Sequence, residues 1–315
     1  MLLRAMTIRI VEFTSRHLPA VAELLNDSYR TAAYEFIPFD EERVLSEIRK
    51  RSMKVHVAEE NDVVVGVVGT PSHPEEDTED ISWLAARSGP NEVMVRGLLI
   101  DTSEKSVKTS AVTTGIFQGD PRMGFWLDRG YVLCPGWSRL SARLDGLKPV
   151  PKVAEGVVIR SLRVVEEEEF VAVVNAGFSW ERVEVGEIGV WKVENPPFDE
   201  GWVQVAEFRG RLVSVVVAKP DTDYNRYLHL KRGYLGPAAT LKEFRNMHLA
   251  SALTVRAMNF LFEKGFDSVR LGTSEQNVSS NALLRSLGFH VDSVRKVLRK
   301  ELKKSGQHTT DRFGL

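Results

Sequence analysis

The chain has 315 residues, and its 42 basic and 43 acidic side chains leave a formal net charge of −1. This near-neutral balance disfavours non-specific binding to nucleic acid or to an anionic membrane. Hydrophobic residues make up 43% of the chain, as in folded globular proteins. Because a domain has about 150 residues on average, the length of the chain predicts two domains. The single cysteine, Cys134, excludes an internal disulfide and a cysteine-rich metal site.

Neither a membrane span nor a secretion signal is expected. The longest apolar runs, at 63–68 and 212–218, are far shorter than the roughly 20 residues that cross a bilayer. The first six residues carry no cleavage signature. We therefore predict a cytoplasmic protein without a membrane or nucleic-acid partner.

The two halves of the chain show the same order of predicted elements, β-α-α-β-β-β-α-β-α-β. A segment with one glycine and two prolines, residues 145–152, predicts an extended linker and hence domains 1–150 and 151–315. The matching segments are Ile8-Arg9 and Ile159-Arg160, the hairpins at 55–68 and 203–217, and the closing pairs Gly130-Tyr131 and Gly288-Phe289. We expect a tandem duplication, in which each copy is an α/β domain with a mixed, mostly antiparallel sheet flanked by helices.

A possible anion site lies in the second half. The strand predicted at 234–240 contains Pro237, which cannot donate to a sheet ladder and therefore belongs at an edge or a bulge. A basic turn follows, and a helix with apolar residues at helical spacing begins near Leu249. The first N–H groups of a helix have no internal partner and attract anions. The alternative is a plain strand-to-helix connection in which Arg245 is solvated.

At this point the sequence resembles the GNAT acetyltransferase superfamily, over residues 157–303. The family signature of Arg or Gln, two residues, Gly, one residue, and Gly or Ala is similar to Arg245–Ala250, and Asn277 stands eleven residues before Gly288-Phe289. The resemblance implies acetyl-CoA as the acyl donor. Its pyrophosphate would lie on the backbone N–H groups of 245–250, and its pantetheine arm would pair with the strand edge at 238–240. The implied binding residues are Ala238, Ala239, Thr240, Arg245, Asn246, Met247, His248, Leu249, Ala250 and Asn277, of which Asn277 could instead be a helix cap.

Three features depart from the family pattern. His248 replaces the first glycine of the loop, where it either crowds the phosphate or contacts it. Leu284 stands where many members have the tyrosine that protonates the departing thiolate. In the first half, the segment 87–91 is too short for a phosphate cradle and Pro90 removes a donor. We therefore predict that the first half is a degenerate copy that no longer holds CoA.

The catalytic groups are harder to identify. Glu207, His229 and Tyr234 are candidates because they lie on or beside the strands near the expected strand separation. Their alternatives are a solvated carboxylate, a surface or packed histidine and a packed tyrosine, respectively. The histidines lack metal-ligand spacing, so no metal is expected. The aromatics at 178, 180 and 191 could roof the acceptor site or simply pack.

We predict an acetyl-CoA-dependent N-acetyltransferase that acts on a small-molecule or peptide amine by direct transfer in a ternary complex. The only thiol, Cys134, lies in the degenerate half, which argues against a covalent enzyme intermediate. The main alternative is a non-catalytic CoA-binding or interaction protein on the same scaffold. A third is a purely structural duplication that binds no CoA. The acceptor and the oligomeric state are open at this level.

Overall fold

The structure is a computed structural model that describes residues 7–31, 34–71 and 78–302. Within them, each half follows the predicted order of elements with one addition: the strand before α3 is divided into β4 and β5 in the first half, and the helix α7 lies between β10 and β11 in the second. The first half contains β1 (Ile8–Glu12), α1 (Leu18–Tyr29), α2 (Glu41–Lys50), β2 (Lys54–Glu60), β3 (Val63–Thr70), β4 (Thr78–Ile81), β5 (Trp83–Ala86), α3 (Glu92–Ser106), β6 (Ala111–Phe117), α4 (Met123–Asp128) and β7 (Val132–Arg143). The second half contains β8 (Val157–Ser161), α5 (Glu167–Phe178), α6 (Glu187–Glu194), β9 (Val203–Phe208), β10 (Arg211–Pro220), α7 (Thr222–Leu228), β11 (Arg232–Thr240), α8 (Leu249–Glu263), β12 (Ser268–Ser274), α9 (Val278–Ser286) and β13 (His290–Glu301).

The chain divides into two compact units whose limits differ from the predicted boundary at 150/151. Unit 1 comprises the residues up to Gly136 together with those from Arg295 onward, and unit 2 is Trp137–Val294. The last strand of each half explains the difference. Residues 137–143 of β7 pair antiparallel with β12 in unit 2, and residues 295–301 of β13 pair antiparallel with β6 in unit 1.

In unit 1 the strands run in the order β1-β2-β3-β5, with antiparallel pairing throughout. β4 and β5 are separated only by Ser82, but β4 leaves this set and pairs parallel with β6. In effect one long strand is bent at Ser82, so that its two ends have different neighbours. The bend produces an opening in the sheet immediately before α3.

In unit 2 the strands run in the order β7-β12-β11-β10-β9-β8. All of these neighbours are antiparallel except β11 and β12, which are parallel. The mixed, mostly antiparallel sheet expected from the hairpins is therefore confirmed. Helix α8 packs on one face, where Gly233 lets the side chain of Leu261 approach: an added Cβ would come within 2.5 Å of it.

The proline-rich segment 145–152 forms no helix or strand, as expected. It is nevertheless tied to unit 2. The backbone N–H of Lys148 donates to Asn259 Oδ1 at 2.9 Å, and Lys148 Nζ donates to the carbonyl of Leu287 at 3.0 Å. These bonds fix the segment against α8 and the end of α9.

Helix α5 crosses the opposite face of this sheet at very close range. A Cβ added to Gly177 would lie 2.7 Å from the Cβ of Ala239 and 3.4 Å from the backbone nitrogen of Thr240. Neither atom can move without its strand. Glycine at 177 therefore sets how closely α5 approaches the end of β11.

Gly177→Ala is expected to destabilise the protein. Overpacking costs about 1–3 kcal/mol, which exceeds the gain of about 1 kcal/mol from replacing a helical glycine. Gly189→Ala, in α6, is the matched control because no atom lies within 4 Å of the added Cβ. Chemical denaturation should show a lower free energy of unfolding for Gly177→Ala and a higher one for Gly189→Ala. Equal stabilisation by both substitutions would contradict the close approach.

Candidate functional site

The two central strands of unit 2 separate partway along their length. The parallel register of β11 with β12 covers only residues 232–234, whereas β11 continues to pair with β10 as far as Thr240. The separation coincides with an irregularity at Gly236, whose φ of 140° favours glycine, and at Pro237, which has no N–H. The strand irregularity predicted from Pro237 is present. Beyond it, one edge of β11 faces a groove instead of a neighbouring strand.

Helix α8 begins directly after this groove. His248 precedes its first residue, Leu249, with φ 60° and ψ 11°, and its side chain forms no cap. The first backbone bond of the helix runs from Ala252 N–H to the carbonyl of His248 at 3.0 Å. The N–H groups before Ala252 therefore have no helical acceptor, and Ala250 adds only a methyl group beside them. Donors, helix dipole and small side chains together suit a phosphate-sized anion.

Arg245 connects this turn to its surroundings. Its Nη2 donates to the carbonyl of Gly177 at 3.2 Å, near the end of α5, and its Nε lies 3.4 Å from the carbonyl of Thr240 at the end of β11. Its side chain is exposed. The guanidinium thus lies at the mouth of the groove, beside the start of α8.

Asn277 occupies the cap position of α9. Its Oδ1 accepts a hydrogen bond from Ser280 N–H at 3.1 Å, so the alternative structural role foreseen for it is present. A carboxamide also carries an NH2 group with two donors, which capping through oxygen does not consume. Asn277 is exposed at the end of β12, which is the strand on the far side of the groove. Capping and ligand binding are therefore compatible.

Tyr234 lies where the strands part, on the face opposite α8. A Cβ added to Gly236 would lie 3.3 Å from its ring, and one added to Gly272 would lie 4.0 Å from its hydroxyl oxygen. The ring therefore lies along the sheet surface and places its hydroxyl beside β12. Burial raises the pKa of Tyr234, and Arg270 and Arg182 oppose this rise only in part. The hydroxyl consequently keeps its proton at neutral pH.

The structure adds cationic neighbours that the sequence analysis missed. Lys219 on β10 is paired in register with Tyr234, which in turn is in register with Arg270 on β12. Lys219 Nζ lies 4.9 Å from the ring centre of Trp191 and 5.7 Å from that of Tyr234. A signal was present, because Lys219 and Arg270 are charged residues inside otherwise apolar strands. Only the strand register shows that they share a face.

Glu207 lies elsewhere on the sheet. Its Oε2 accepts from Arg160 Nη2 at 2.6 Å, which makes it part of an ion pair at the β8–β9 edge. Glu207 is in register with Leu212, seven residues before Lys219 on β10. At 3.3 Å per residue this is about 23 Å from the level of Tyr234.

His229 is exposed in the turn after α7, with φ 54°. The structure thus does not bring Glu207, His229 and Tyr234 together. Leu284, at the position of the family's usual tyrosine, has only 4% of its surface exposed and lies in the core. Among the three candidates, Tyr234 is the one beside the groove.

The aromatics between α5 and α6 divide into two sets. Trp191 is buried, with its ring edge-on to Phe170 and Phe198 at 6.1 and 5.8 Å between ring centres. Phe178 and Trp180 stack edge to face at 6.0 Å, and Trp180 is exposed. Packing against other aromatic rings therefore explains the position of Trp191, whereas the side chain of Trp180 is accessible to a ligand.

In unit 1 the corresponding opening is filled by the protein's own side chains. The hydroxyl of Tyr29 accepts a hydrogen bond from Leu84 N–H, on β5, at 3.0 Å. The guanidinium of Arg122 lies 5.5 Å from the ring centre of Tyr29 and donates to Asp120 at 2.6 Å. Near the start of α3, Arg96 bonds Glu92 at 2.7 Å.

Comparison with known proteins agrees with this geometry. Residues 159–289 match the model of the Acetyltransferase (GNAT) family. No curated protein matches the chain. Among solved structures, a GCN5-related N-acetyltransferase from Sphaerobacter thermophilus is similar at 16% identity and a TM-score of 0.66, over 94% of this chain and 96% of that one. A tandem GNAT protein from the clavulanic acid biosynthesis pathway is similar at 13% identity and a TM-score of 0.69, over 95% of this chain and all of that one.

A third similar structure contains a GCN5-related glucosamine N-acetyltransferase region, in a fungal multi-domain GH3 β-N-acetylglucosaminidase. It has 13% identity and a TM-score of 0.74 over 95% of this chain, which spans only 38% of that protein's length. The fold is therefore that of tandem GNAT domains. The match to the Acetyltransferase (GNAT) family model lies within the second half of the chain.

No helix within the described residues is long and apolar enough to cross a membrane. Within the same residues, no group of three or more histidine, cysteine, aspartate or glutamate side chains could hold a metal ion.

Proposed function

We propose that unit 2 transfers an acetyl group from acetyl-CoA to an amine, directly, within a ternary complex. The observation that carries this proposal is the groove where β11 leaves β12, with the uncapped start of α8 immediately behind it. The groove offers unpaired strand edge to an extended chain, and the helix start offers N–H donors to phosphates. These are the two chemically different parts of acetyl-CoA.

The residues around the groove fit acetyl-CoA. The N–H groups at the start of α8, beside Ala250, would hold the pyrophosphate. The strand edge at 238–240 would pair with the pantetheine arm, and the amide nitrogen of Asn277 would donate to it from the β12 side. Arg245 already lies at the mouth of the groove, where its charge would attract the phosphates.

Bound acetyl-CoA supplies an activated thioester: the amine nitrogen forms the C–N bond, the C–S bond breaks, and the amine's proton ends on the thiol. Tyr234 holds a proton at its hydroxyl beside the groove and would donate a hydrogen bond to the thioester sulfur, which would stabilise the charge that develops there. Its raised pKa suits a donor rather than a base. Unit 2 contains no cysteine, which supports transfer without an enzyme-bound acetyl group.

We assign the acetyl-CoA site to unit 2 alone. In unit 1, Tyr29 occupies the N–H of Leu84 at the strand opening, and the loop 87–91 before α3 is short and contains Pro90. A cofactor arm would have to displace Tyr29, whose ring lies beside Arg122, the half-buried partner of the buried Asp120. This supports the interpretation of the first copy as degenerate.

One observation favours the rival function, a CoA-binding protein without catalysis. Leu284 is packed in the core, so this position offers no hydroxyl to the thiolate. The two functions differ in a single measurement, because only the enzyme releases free thiol when an amine is added. Both require the same acetyl-CoA site.

Calorimetric titration of the full-length protein with acetyl-CoA tests the proposal, followed by a thiol-release assay on a panel of amines. We expect one site per chain and thiol release that depends on the amine. Two sites per chain would contradict the degenerate first copy. Binding without thiol release for any amine would favour the rival, and no binding would overturn both.

The substitution His248→Gly tests the one unusual residue of the loop. His248 already adopts a left-handed conformation, so glycine preserves the backbone path of the N–H groups. If the exposed imidazole contacts phosphate, its removal should weaken acetyl-CoA binding about 3- to 10-fold, the value of one hydrogen bond. The free energy of unfolding should change by less than about 1 kcal/mol. His248→Gln, which keeps a donor, should retain most of the affinity, whereas tighter binding by the glycine variant would show crowding.

A further inference from the structure

The face of unit 2 that carries Tyr234 also carries a set of cations that the proposed chemistry does not use. Lys219, Tyr234 and Arg270 occupy adjacent strands in direct register, so their side chains share one face. Arg139 on β7 is in register with Gly272, two residues beyond Arg270, and therefore lies on the same face. Cations thus lie on β10, β12 and β7, on the same face as Tyr234 of β11.

Part of this charge is built into the core. Asp221 bonds both Arg232 Nε at 2.7 Å and Arg270 Nη2 at 2.9 Å, and each of the three residues is less than 10% exposed. The ring of Tyr224, on α7, lies 4.0 Å from the guanidinium of Arg270. This group is fixed and structural, and its Arg270 is in register with Tyr234.

Lys219 and Arg182 are different. Lys219 is half-buried, and its Nζ faces the rings of Trp191 and Tyr234. The guanidinium of Arg182 faces the rings of Phe178 and Trp180, at 6.0 and 5.5 Å. Within the part of the chain that the structure describes, neither cation contacts a carboxylate.

The carboxylates that act on Lys219 do so from a distance. Burial lowers the pKa of Lys219, and Glu194, Glu187 and Asp221 raise it in part, while Arg182 opposes them. A half-buried ammonium group beside a second cation is costly unless an anion compensates it. Both cations come from the elements that surround Tyr234, namely β10 and the connection between α5 and α6.

We propose that the acceptor amine carries an acidic group, a carboxylate or a phosphate monoester, and that Lys219 and Arg182 bind this group beside Tyr234. The inference rests on the proposed function and names the substrate class for it. The rings of Trp191 and Tyr234 limit the hydration of Lys219, which strengthens an ion pair with a ligand, and Arg182 adds an exposed second cation. The same positive field disfavours the ammonium form of the acceptor, so more of the amine is present as the nucleophile.

The first test measures the anion site without catalysis. Inorganic phosphate is titrated into the full-length protein saturated with CoA, which blocks the start of α8, at 0.15 M KCl. We expect Lys219→Gln to bind phosphate about tenfold more weakly or worse, which is the effect of losing one hydrogen bond to a charged group. Lys219→Arg should retain it.

Lys264→Gln is the matched control, because Lys264 Nζ also lies over an aromatic ring, 5.3 Å from the centre of Phe260, at the far end of α8. Its phosphate affinity should equal that of the wild type. Equal affinity of the wild type and Lys219→Gln, or an equal loss in Lys264→Gln, would overturn the proposal. If CoA itself does not bind, the proposed function fails, and titration of the ligand-free protein still decides whether Lys219 binds an anion.

The second test compares matched amines by thiol release from acetyl-CoA. The pairs are O-phosphoethanolamine with ethanolamine, and β-alanine with its amide. We expect the acidic member of at least one pair to have the higher kcat/KM, with that advantage lost in Lys219→Gln, and the preferred pair identifies phosphate or carboxylate. Equal use of acidic and neutral members would overturn the proposal. If none of the four amines is acetylated, the phosphate titration alone decides.

Discussion

Ala250→Asp is expected to weaken acetyl-CoA binding by about 100-fold, or about 2.7 kcal/mol. The substitution places a carboxylate in the first turn of α8, among the N–H groups that would hold the pyrophosphate. Two unit charges 4 Å apart repel by about 1 kcal/mol in water and about 4 kcal/mol near a protein surface, and the expected loss lies between these limits. Calorimetric titration of the full-length variant with acetyl-CoA measures it.

A fold defect would not explain such a loss, because an acidic residue in the first turn of a helix is favourable to the helix dipole. The melting temperature of Ala250→Asp should therefore not fall. Val93→Asp is the matched control in unit 1, since Val93 is likewise the second residue of its helix and is 67% exposed. It should leave acetyl-CoA affinity unchanged. Unchanged affinity in Ala250→Asp itself would mean that the start of α8 is a plain connection.

Tyr234→Phe is expected to lower kcat for acetyl transfer by about 100-fold, the lower end of the effects of removing a positioned donor. The affinity for acetyl-CoA should be nearly unchanged, because the hydroxyl acts on the sulfur as charge develops there. Steady-state thiol release with the best amine of the panel measures kcat, and calorimetry measures the affinity.

The pH dependence separates a donor from a base. Burial raises the pKa of Tyr234 above its usual value, so the hydroxyl is protonated throughout the range from about pH 6 to 9. The loss in Tyr234→Phe should then be uniform over this range, without a shift of the optimum. Tyr227→Phe removes a hydroxyl from a residue that is 37% exposed and should have no effect. A loss confined to high pH would show that Tyr234 acts as a base.

Some of the site was accessible from the amino-acid sequence because it depends on short-range chemistry. Pro237 removes a strand donor, and the strand is irregular there. The apolar spacing from Leu249 onward defines α8, and the charged turn before it lies at the helix start. The sequence left two roles for Asn277, a helix cap and a contact to acetyl-CoA. Its hydrogen bond from Ser280 N–H shows the capping role and does not exclude the contact.

Other features depend on strands that are distant in the chain. Glu207 and Tyr234 both lie on the sheet, but the register of β9 with β10 places Glu207 about 23 Å along the strands from the level of Tyr234. Lys219 and Arg270 lie on opposite sides of Tyr234 in sequence, and only the pairing of three strands brings them to one face. No local pattern encodes which strands become neighbours.

The sequence by itself determined most of the repeated order of elements, the strand irregularity and the position of the helix start, because each follows from backbone chemistry within a few residues; it did not show the division of β4 from β5 or the helix α7. The tertiary structure alone decided the membership of the two compact units, in which residues 137–143 and 295–301 join the sheet of the opposite half. It also decided that Tyr29 fills the opening of unit 1 and that Lys219 and Arg270 flank Tyr234 on the neighbouring strands. The physical reason is that these contacts join residues far apart in sequence, whose meeting depends on which strand edges pair and which face each helix covers.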